Sequence, residues 1–336
     1  MKKYRVGIIG CGVIAPNHLN VLNKLENVEL VAVCDVVKEK AEKKAEEYGC
    51  KAYYDYKEML SAEKLDSVHV CLPHYLHSEV TIYCLNAGVD VLCEKPMDIS
   101  YAKALQMKDA ADRSGRKLGI IFQNRYNPGT QFAVQLLESG KIGALKGVSA
   151  NLTWCRDQKY YDQDDWRGKW ATEGGGVLIN QAIHTVDLTR YLTNSEVISV
   201  SASASHRGYT QVEVEDTAEG VVKFENGVEV MFFFSNNCFR DRNIQVELFC
   251  EKGVISILGA NATATYDDGT VEESYDSSEL KNQGKAVYGV GHFAQITEYY
   301  TEGAEDKVRK TVEEALKTQK LLEDIYDSAG INRFAI

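Results

Sequence analysis

A glycine-rich turn between a strand and a helix, β-branched runs alternating with helical stretches, and later strands that alternate apolar with polar residues predict a two-part fold. The first part, 1–124, reads as an α/β domain of Rossmann type built on a parallel sheet. The second, 125–336, reads as an α+β domain with a large, mostly antiparallel, open-faced sheet, and its C-terminal helix is free to pack back on the first domain. At 336 residues the chain is long enough for both.

The elements follow in order. Tyr4–Ile9 is the first strand, and Ala15–Leu25 the helix after the glycine turn. Val28–Cys34 is the second strand, and Lys38–Tyr48 a charged amphipathic helix stopped by Gly49. Ser67–Leu72 and Val89–Cys93 are further strands flanking a helix from Leu76 to Asn86. Ser100 opens a helix to Ser114, and Lys117–Phe122 is a fifth strand. These runs lack alternation, as strands buried on both faces do. After residue 125 the character changes. Pro128–Glu138 is helical, Lys146–Thr153 a strand, Trp154–Trp170 a long polar and aromatic loop, and Asn180–Leu192 a single helix. Val197–His206, Thr217–Phe224, Gly227–Ser235, Asn243–Cys250 and Val254–Leu258 read as strands with one exposed or self-associating face. Val308, Val312, Ala315, Leu316, Gln319, Leu322 and Ile325 form one helical stripe, a core-packing pattern.

Composition narrows the function. A net charge of −11 argues against nucleic acid or an anionic membrane as partner. The nine cysteines contain no CxxC pair, so no zinc knuckle, redox dithiol or other metal centre is expected, and reduced thiols fit best. The apolar stretch before Cys11 is too short for a signal h-region, and no run approaches a membrane span. A cytoplasmic protein is expected.

Strand, Gly10-Cys11-Gly12-Val13-Ile14-Ala15, then helix is the G-x-G-x-x-A pattern in the context it requires. Gly10 makes the tight turn, Gly12 admits a pyrophosphate, and Val13 and Ile14 lead into the helix whose N-terminus faces the phosphates. Asp35, at the end of the second strand, is placed to accept both ribose hydroxyls and repel a 2′-phosphate, which favours NAD over NADP. Its alternative role is a surface helix cap, and Lys38 and Lys40 leave some room for NADP.

Three further segments carry chemistry. Leu72-Pro73-His74-Tyr75-Leu76-His77 follows a strand, where ligands bind in open α/β sheets, so Leu72, Pro73, His74 and His77 are cofactor candidates. His77 equally suits packing at a helix start. Glu94-Lys95-Pro96 places a lysine at another strand end, able to favour the ionised form of a substrate hydroxyl. Glu94 and Lys95 are cofactor candidates as well, and Asn124, after the fifth strand, completes that set. In Gly174-Gly175-Gly176…Asn180…His184, the last two share a helical face. A neutral imidazole is the natural acceptor of an alcohol proton, and the glycines would let backbone and ligand approach. A buried, satisfied histidine is the alternative. Trp154, Arg156, Trp166 and Trp170, with Arg125 and Tyr126, suit a glycoside pocket or, equally, domain packing.

In this order, the glycine turn, Asp35, the Pro73…His77 segment, Glu94-Lys95-Pro96 and the Gly-Gly-Gly…Asn180…His184 segment resemble the glucose-fructose oxidoreductase / inositol dehydrogenase / MocA (Gfo/Idh/MocA) family across essentially the whole chain. The resemblance implies hydride transfer between nicotinamide and a hydroxyl carbon of a sugar, glycoside or polyol. It makes Lys95 the catalytic lysine and His184 the catalytic histidine, and implies a homodimer or homotetramer joined through the C-terminal sheet. The inositol-dehydrogenase type has aspartate where this chain has Asn180. Asparagine cannot charge the histidine's surroundings but can orient a hydroxyl, and it resembles the branch that oxidises sugar C3. Asn180 is therefore expected to position substrate. The same scaffold serves non-sugar carbonyls and dihydrodiols; a non-catalytic dinucleotide sensor would need neither Lys95 nor His184.

Overall fold

A computed structural model describes residues 3–208, 211–274 and 289–334. They form two compact units. The first takes 3–123 and 289–316, and the second takes 124–208, 211–274 and 317–334. Residues 289–316 thus fall in the first unit, and the two units meet along the chain at 123/124 and 316/317.

The first unit runs β1 (Tyr4–Ile9), α1 (Ala15–Leu22), β2 (Val28–Cys34), α2 (Lys38–Tyr48), β3 (Lys51–Tyr53), α3 (Tyr56–Ala62), β4 (Ser67–Val70), α4 (His77–Asn86), β5 (Asp90–Cys93), α5 (Tyr101–Ser114) and β6 (Leu118–Ile120). The sheet is six-stranded in the order β3-β2-β1-β4-β5-β6, and every pairing is parallel. Every residue of β4 is buried, and β1 ends in four buried residues, which explains why neither alternates. Strand order reverses between β1 and β4, so the loops after these strands open at the switch point where such sheets bind ligands. β3 and α3 are not legible in the sequence. Three and seven residues are too short to show a period, although Asp55 caps α3 through the N–H groups of Lys57 and Glu58.

The second unit contains α6 (Pro128–Glu138), β7 (Leu145–Thr153), α7 (Gln158–Tyr161), α8 (Val177–Asn180), α9 (Ile183–Thr193), β8 (Val197–Ser205), β9 (Thr217–Phe224), β10 (Glu229–Ser235), β11 (Gln245–Cys250), β12 (Gly253–Leu258), β13 (Asn261–Tyr266) and β14 (Val271–Glu273). Its eight strands lie in the order β14-β13-β12-β11-β7-β10-β9-β8. The sheet is antiparallel except for β7 beside β10. In β10 buried and exposed residues alternate, so Val230, Phe232 and Phe234 enter the core while Met231 and Phe233 lie on the open face. The cross-strand register puts Ser149, Asn151, Glu219 and Glu247 on that same face.

Two helices complete the described chain: α10 (Val290–Tyr299) and α11 (Glu305–Ser328). All seven stripe residues from Val308 to Ile325 are buried. All nine cysteines are free thiols. Among the described residues, no helix is long and apolar enough to cross a membrane.

Candidate active site

In the first unit, the glycine turn is built for close approach. Gly10 has φ +99°, and a Cβ there would stand 2.3 Å from the Cys71 carbonyl oxygen, so β4's end leaves room only for glycine. Gly12 differs: a Cβ there would meet nothing within 4 Å. The chain's own packing does not require glycine at 12, whereas a bound phosphate does. Val13 next to it is 79% exposed at the entry to α1. The N-cap residue Ile14 makes no side-chain cap and the first turn holds no acid, which leaves the helix N–H groups and their dipole to an anion. Asp35 accepts the Cys11 N–H at 2.8 Å and the Val37 N–H at 2.8 Å, locking its carboxylate against the turn. Lys38 lies over the Tyr54 ring. These residues fit a dinucleotide.

The other strand ends form a buried polar frame. Glu94 Oε1 accepts from His18 Nε2 at 2.9 Å, His18 Nδ1 meets His69 Nδ1 at 2.8 Å, and His69 Nε2 meets the Tyr300 hydroxyl at 2.8 Å. Burial pushes both imidazoles down and keeps them neutral. One assignment then gives each bond one proton. Tyr300 donates to His69, His69 donates to His18, and His18 donates to Glu94. Burial alone would raise the Glu94 carboxyl, but the hydrogen bond from His18 helps hold it well below the usual carboxylate range. Glu94 Oε2 in turn accepts the Lys95 backbone N–H at 3.2 Å, so the relay ends at the lysine's own peptide. His292 Nε2 stands 3.4 Å from Glu94 Oε1. His18, Glu94 and His292 thus gather one ligand atom each within 4.8 Å, a metal-type donor set that sequence reading did not anticipate. Its members are scattered along the chain, and only the fold collects them.

Of the two readings the sequence leaves for His77, its bonds match the packing one. His77 is buried, with Nδ1 at 2.7 Å from the Pro96 carbonyl and Nε2 at 2.7 Å from the Leu72 carbonyl. It ties the loop after β4 to the one after β5. Burial lowers its pKa, while the two carbonyls act the other way. His74 is buried beside it in a short 3-10 turn, His74–Leu76, that opens from Pro73. His77 is therefore a packed tie between the two loops, with the His74 ring beside it.

In the second unit, the predicted single helix is broken. α8 ends at Asn180, Gln181 and Ala182 form a turn, and α9 begins at Ile183, so Asn180 and His184 do not share one regular helix. Both are 9% exposed. The glycines serve packing here. A Cβ on Gly176 would lie 1.8 Å from the Glu215 carbonyl oxygen, and one on Gly175 would lie 2.0 Å from the Tyr326 hydroxyl. Glu215 also takes the Gly176 and Leu178 N–H groups, at 2.9 and 3.0 Å, and the Tyr326 hydroxyl. Protein groups thus fill the space a side chain would take at Gly175 and Gly176.

Asn180 sits in a polar cluster. Its Nδ2 donates to Glu173 Oε1 at 2.5 Å and to the Tyr160 hydroxyl oxygen at 3.3 Å. Gln181 Nε2 donates to Tyr160 at 3.0 Å, and Gln181 Oε1 accepts from Asn236 at 2.7 Å. Neither Glu173 nor Gln181 is marked out by the sequence pattern. The available signal was a glutamate directly before three glycines, in a stretch too short to show periodicity.

The proposed substrate residues divide. Arg125 is buried in a bidentate pair with Asp187, at 2.7 and 2.5 Å, so it is a structural cation. Tyr126 is half-buried, and Asn124 accepts the Thr130 hydroxyl through its carbonyl. Trp170 packs on the Tyr161–Val212–Val214 core and edge-on to Tyr326. Trp154 donates to the Arg242 carbonyl and stacks under Arg156, which pairs with Asp241. Trp166 lies under Arg167, whose guanidinium also covers Tyr160.

A six-stranded parallel sheet, a glycine turn at its switch point and an acid locked onto that turn define a dinucleotide-binding α/β enzyme frame. The chain belongs to the Gfo/Idh/MocA oxidoreductase family: residues 4–122 match its NAD-binding Rossmann fold and residues 130–256 its C-terminal domain. It is an NAD-binding oxidoreductase. Among curated relatives it is 31% identical to D-glucoside 3-dehydrogenase of Escherichia coli (strain K12), over 73% of this chain and 74% of that one. It is also 31% identical to glucose-6-phosphate 3-dehydrogenase of Bacillus subtilis (strain 168), over 68% of this chain and 66% of that one. Among solved structures it resembles the WlbA dehydrogenase from Bordetella pertussis in complex with NADH and UDP-GlcNAcA. There the identity is 28% and the TM-score 0.85, covering 98% of this chain and 96% of that chain.

Proposed function

We propose that this chain oxidises a secondary hydroxyl of a sugar or glycoside, at C3, with NAD as the hydride acceptor. The observation that carries the reading is the 31% identity to D-glucoside 3-dehydrogenase over 73% of the chain. Asn180, in place of the aspartate of the inositol type, agrees with it. Bound NAD supplies the nicotinamide carbon that receives hydride. Gly10, Gly12, Val13 and Ile14 would hold its phosphates, and Asp35 its ribose hydroxyls. An anion locked at that turn disfavours a 2′-phosphate, so NAD is preferred to NADP.

The chain's part is proton handling. Lys95, as an ammonium, hydrogen-bonds the substrate hydroxyl and favours its ionised form; His184, as neutral imidazole, accepts the proton. Loss of hydride from carbon and proton from oxygen leaves the ketone. Asn180 orients the substrate. The open sheet face carrying Met231, Phe233 and Phe249 supports a homo-oligomer.

NADH appearance should be followed with methyl D-glucoside, glucose 6-phosphate and myo-inositol. Methyl D-glucoside is expected to turn over with NAD, to a 3-keto product identified by NMR. Lys95→Ala should lower kcat by about 10³-fold with NAD affinity retained. Near-normal turnover by Lys95→Ala would sink the lysine's role, and turnover of inositol alone would sink the C3 reading.

A further inference from the structure

A buried carboxyl that the proposed reaction does not itself use lies against the Asn180 amide. Glu173 is 1% exposed and accepts two N–H groups, Gly168 N at 2.5 Å on Oε2 and Asn180 Nδ2 at 2.5 Å on Oε1. A planar amide has its nitrogen and oxygen on opposite edges. A carboxylate accepts only from the nitrogen, since two oxygens would repel. Ionised Glu173 therefore fixes Asn180 with nitrogen toward the carboxylate and oxygen toward the opposite edge. Protonated Glu173 can donate to the amide oxygen, and that constraint is lost.

We propose that Glu173 is a positioning residue that, through Asn180, decides whether a substrate hydroxyl meets an acceptor or a donor. The inference rests on the glycoside reading above. The charged and titratable groups facing Glu173 are Arg167 and Tyr160, Glu215, and Tyr326 with Arg333 over its ring. Burial pushes the carboxyl up to about 7; the Gly168 and Asn180 hydrogen bonds and Arg167 oppose that, and Glu215 adds to it. Ionisation, and with it the acceptor orientation, is thus gained as pH rises through neutrality.

The test uses the full-length enzyme, NAD and methyl D-glucoside. For wild type, KM for the glycoside should rise about ten-fold as pH falls below neutrality, while KM for NAD stays level. Glu173→Gln should raise the glycoside KM and flatten that dependence, with kcat and NAD affinity changed far less. Asn180→Asp alone sets two carboxyls in contact and should lose about 100-fold in kcat/KM. The double variant Glu173→Gln with Asn180→Asp restores a donor–acceptor pair with roles exchanged, and should recover most of that loss. A merely structural Glu173 would leave the glycoside pH profile unmoved and give no recovery in the double variant, and either result overturns the proposal. Wild type that turns over no glycoside at any pH sinks the glycoside reading and this inference with it. Wild type that does, beside an indistinguishable Glu173→Gln, sinks this inference alone.

Discussion

Gly10 and Gly12 are two positions apart and glycine for different reasons. Gly10 answers to its own fold, through a left-handed φ and the Cys71 carbonyl; Gly12 has open space where a side chain would go. Gly10→Ala should therefore cost about 2–4 kcal/mol of stability, read as a shift in urea midpoint. Gly12→Ala should leave stability within about 0.5 kcal/mol yet weaken NAD binding at least about ten-fold by titration calorimetry. Equal stability loss in both would show that the turn is structural throughout. The motif was legible at this scale because its spacing is local. The sequence left His77 between cofactor and packing roles because its ring partners, the Leu72 and Pro96 carbonyls, come from two different strand ends.

Elements are joined by buried polar side chains more than sequence periodicity shows. Arg125 lies in the 3-10 turn Gln123–Tyr126, Asp187 in α9 and Thr318 in α11, and Asp187 accepts from both of the others. A cation near a strand end reads as a ligand group until its anion is found 62 residues away. Arg125→Ala takes the paired cation from buried Asp187, and should destabilise the chain by about 3–5 kcal/mol in denaturant unfolding. Arg125→Met with Asp187→Leu should cost clearly less. The break between α8 and α9 belongs here too. Asn180 and Gln181 turn their side chains into the Tyr160–Glu173–Asn236 cluster, and those hydrogen bonds replace a continuous helix.

At the scale of the molecule, the two compact units do not follow the chain in two consecutive pieces, and α11 supplies residues to both. Its later turns bring Thr318 to Asp187 and Arg190, and Tyr326 to Glu215. Removing 317–336 should therefore lower the unfolding temperature by more than about 10 °C, with the C-terminal sheet the first to lose amide protection in hydrogen exchange. Unchanged protection in β8–β10 would contradict this. The apolar stripe announced that α11 is buried, but a stripe carries no information on which elements bury it.

The sequence by itself determined the parallel sheet, the glycine turn with its acid, the family, and the alternating strands of the second unit. Each of these is written in spacing within a short stretch: period two, period 3.6, or a motif between a strand and a helix. Only tertiary structure decided what the polar residues do. It gathered His18, His69, Glu94, His292 and Tyr300 into one frame, gave Arg125 its anion and set Glu173 against Asn180. A buried polar group is defined by its partner, and these partners are brought together by the fold, not by proximity in the chain.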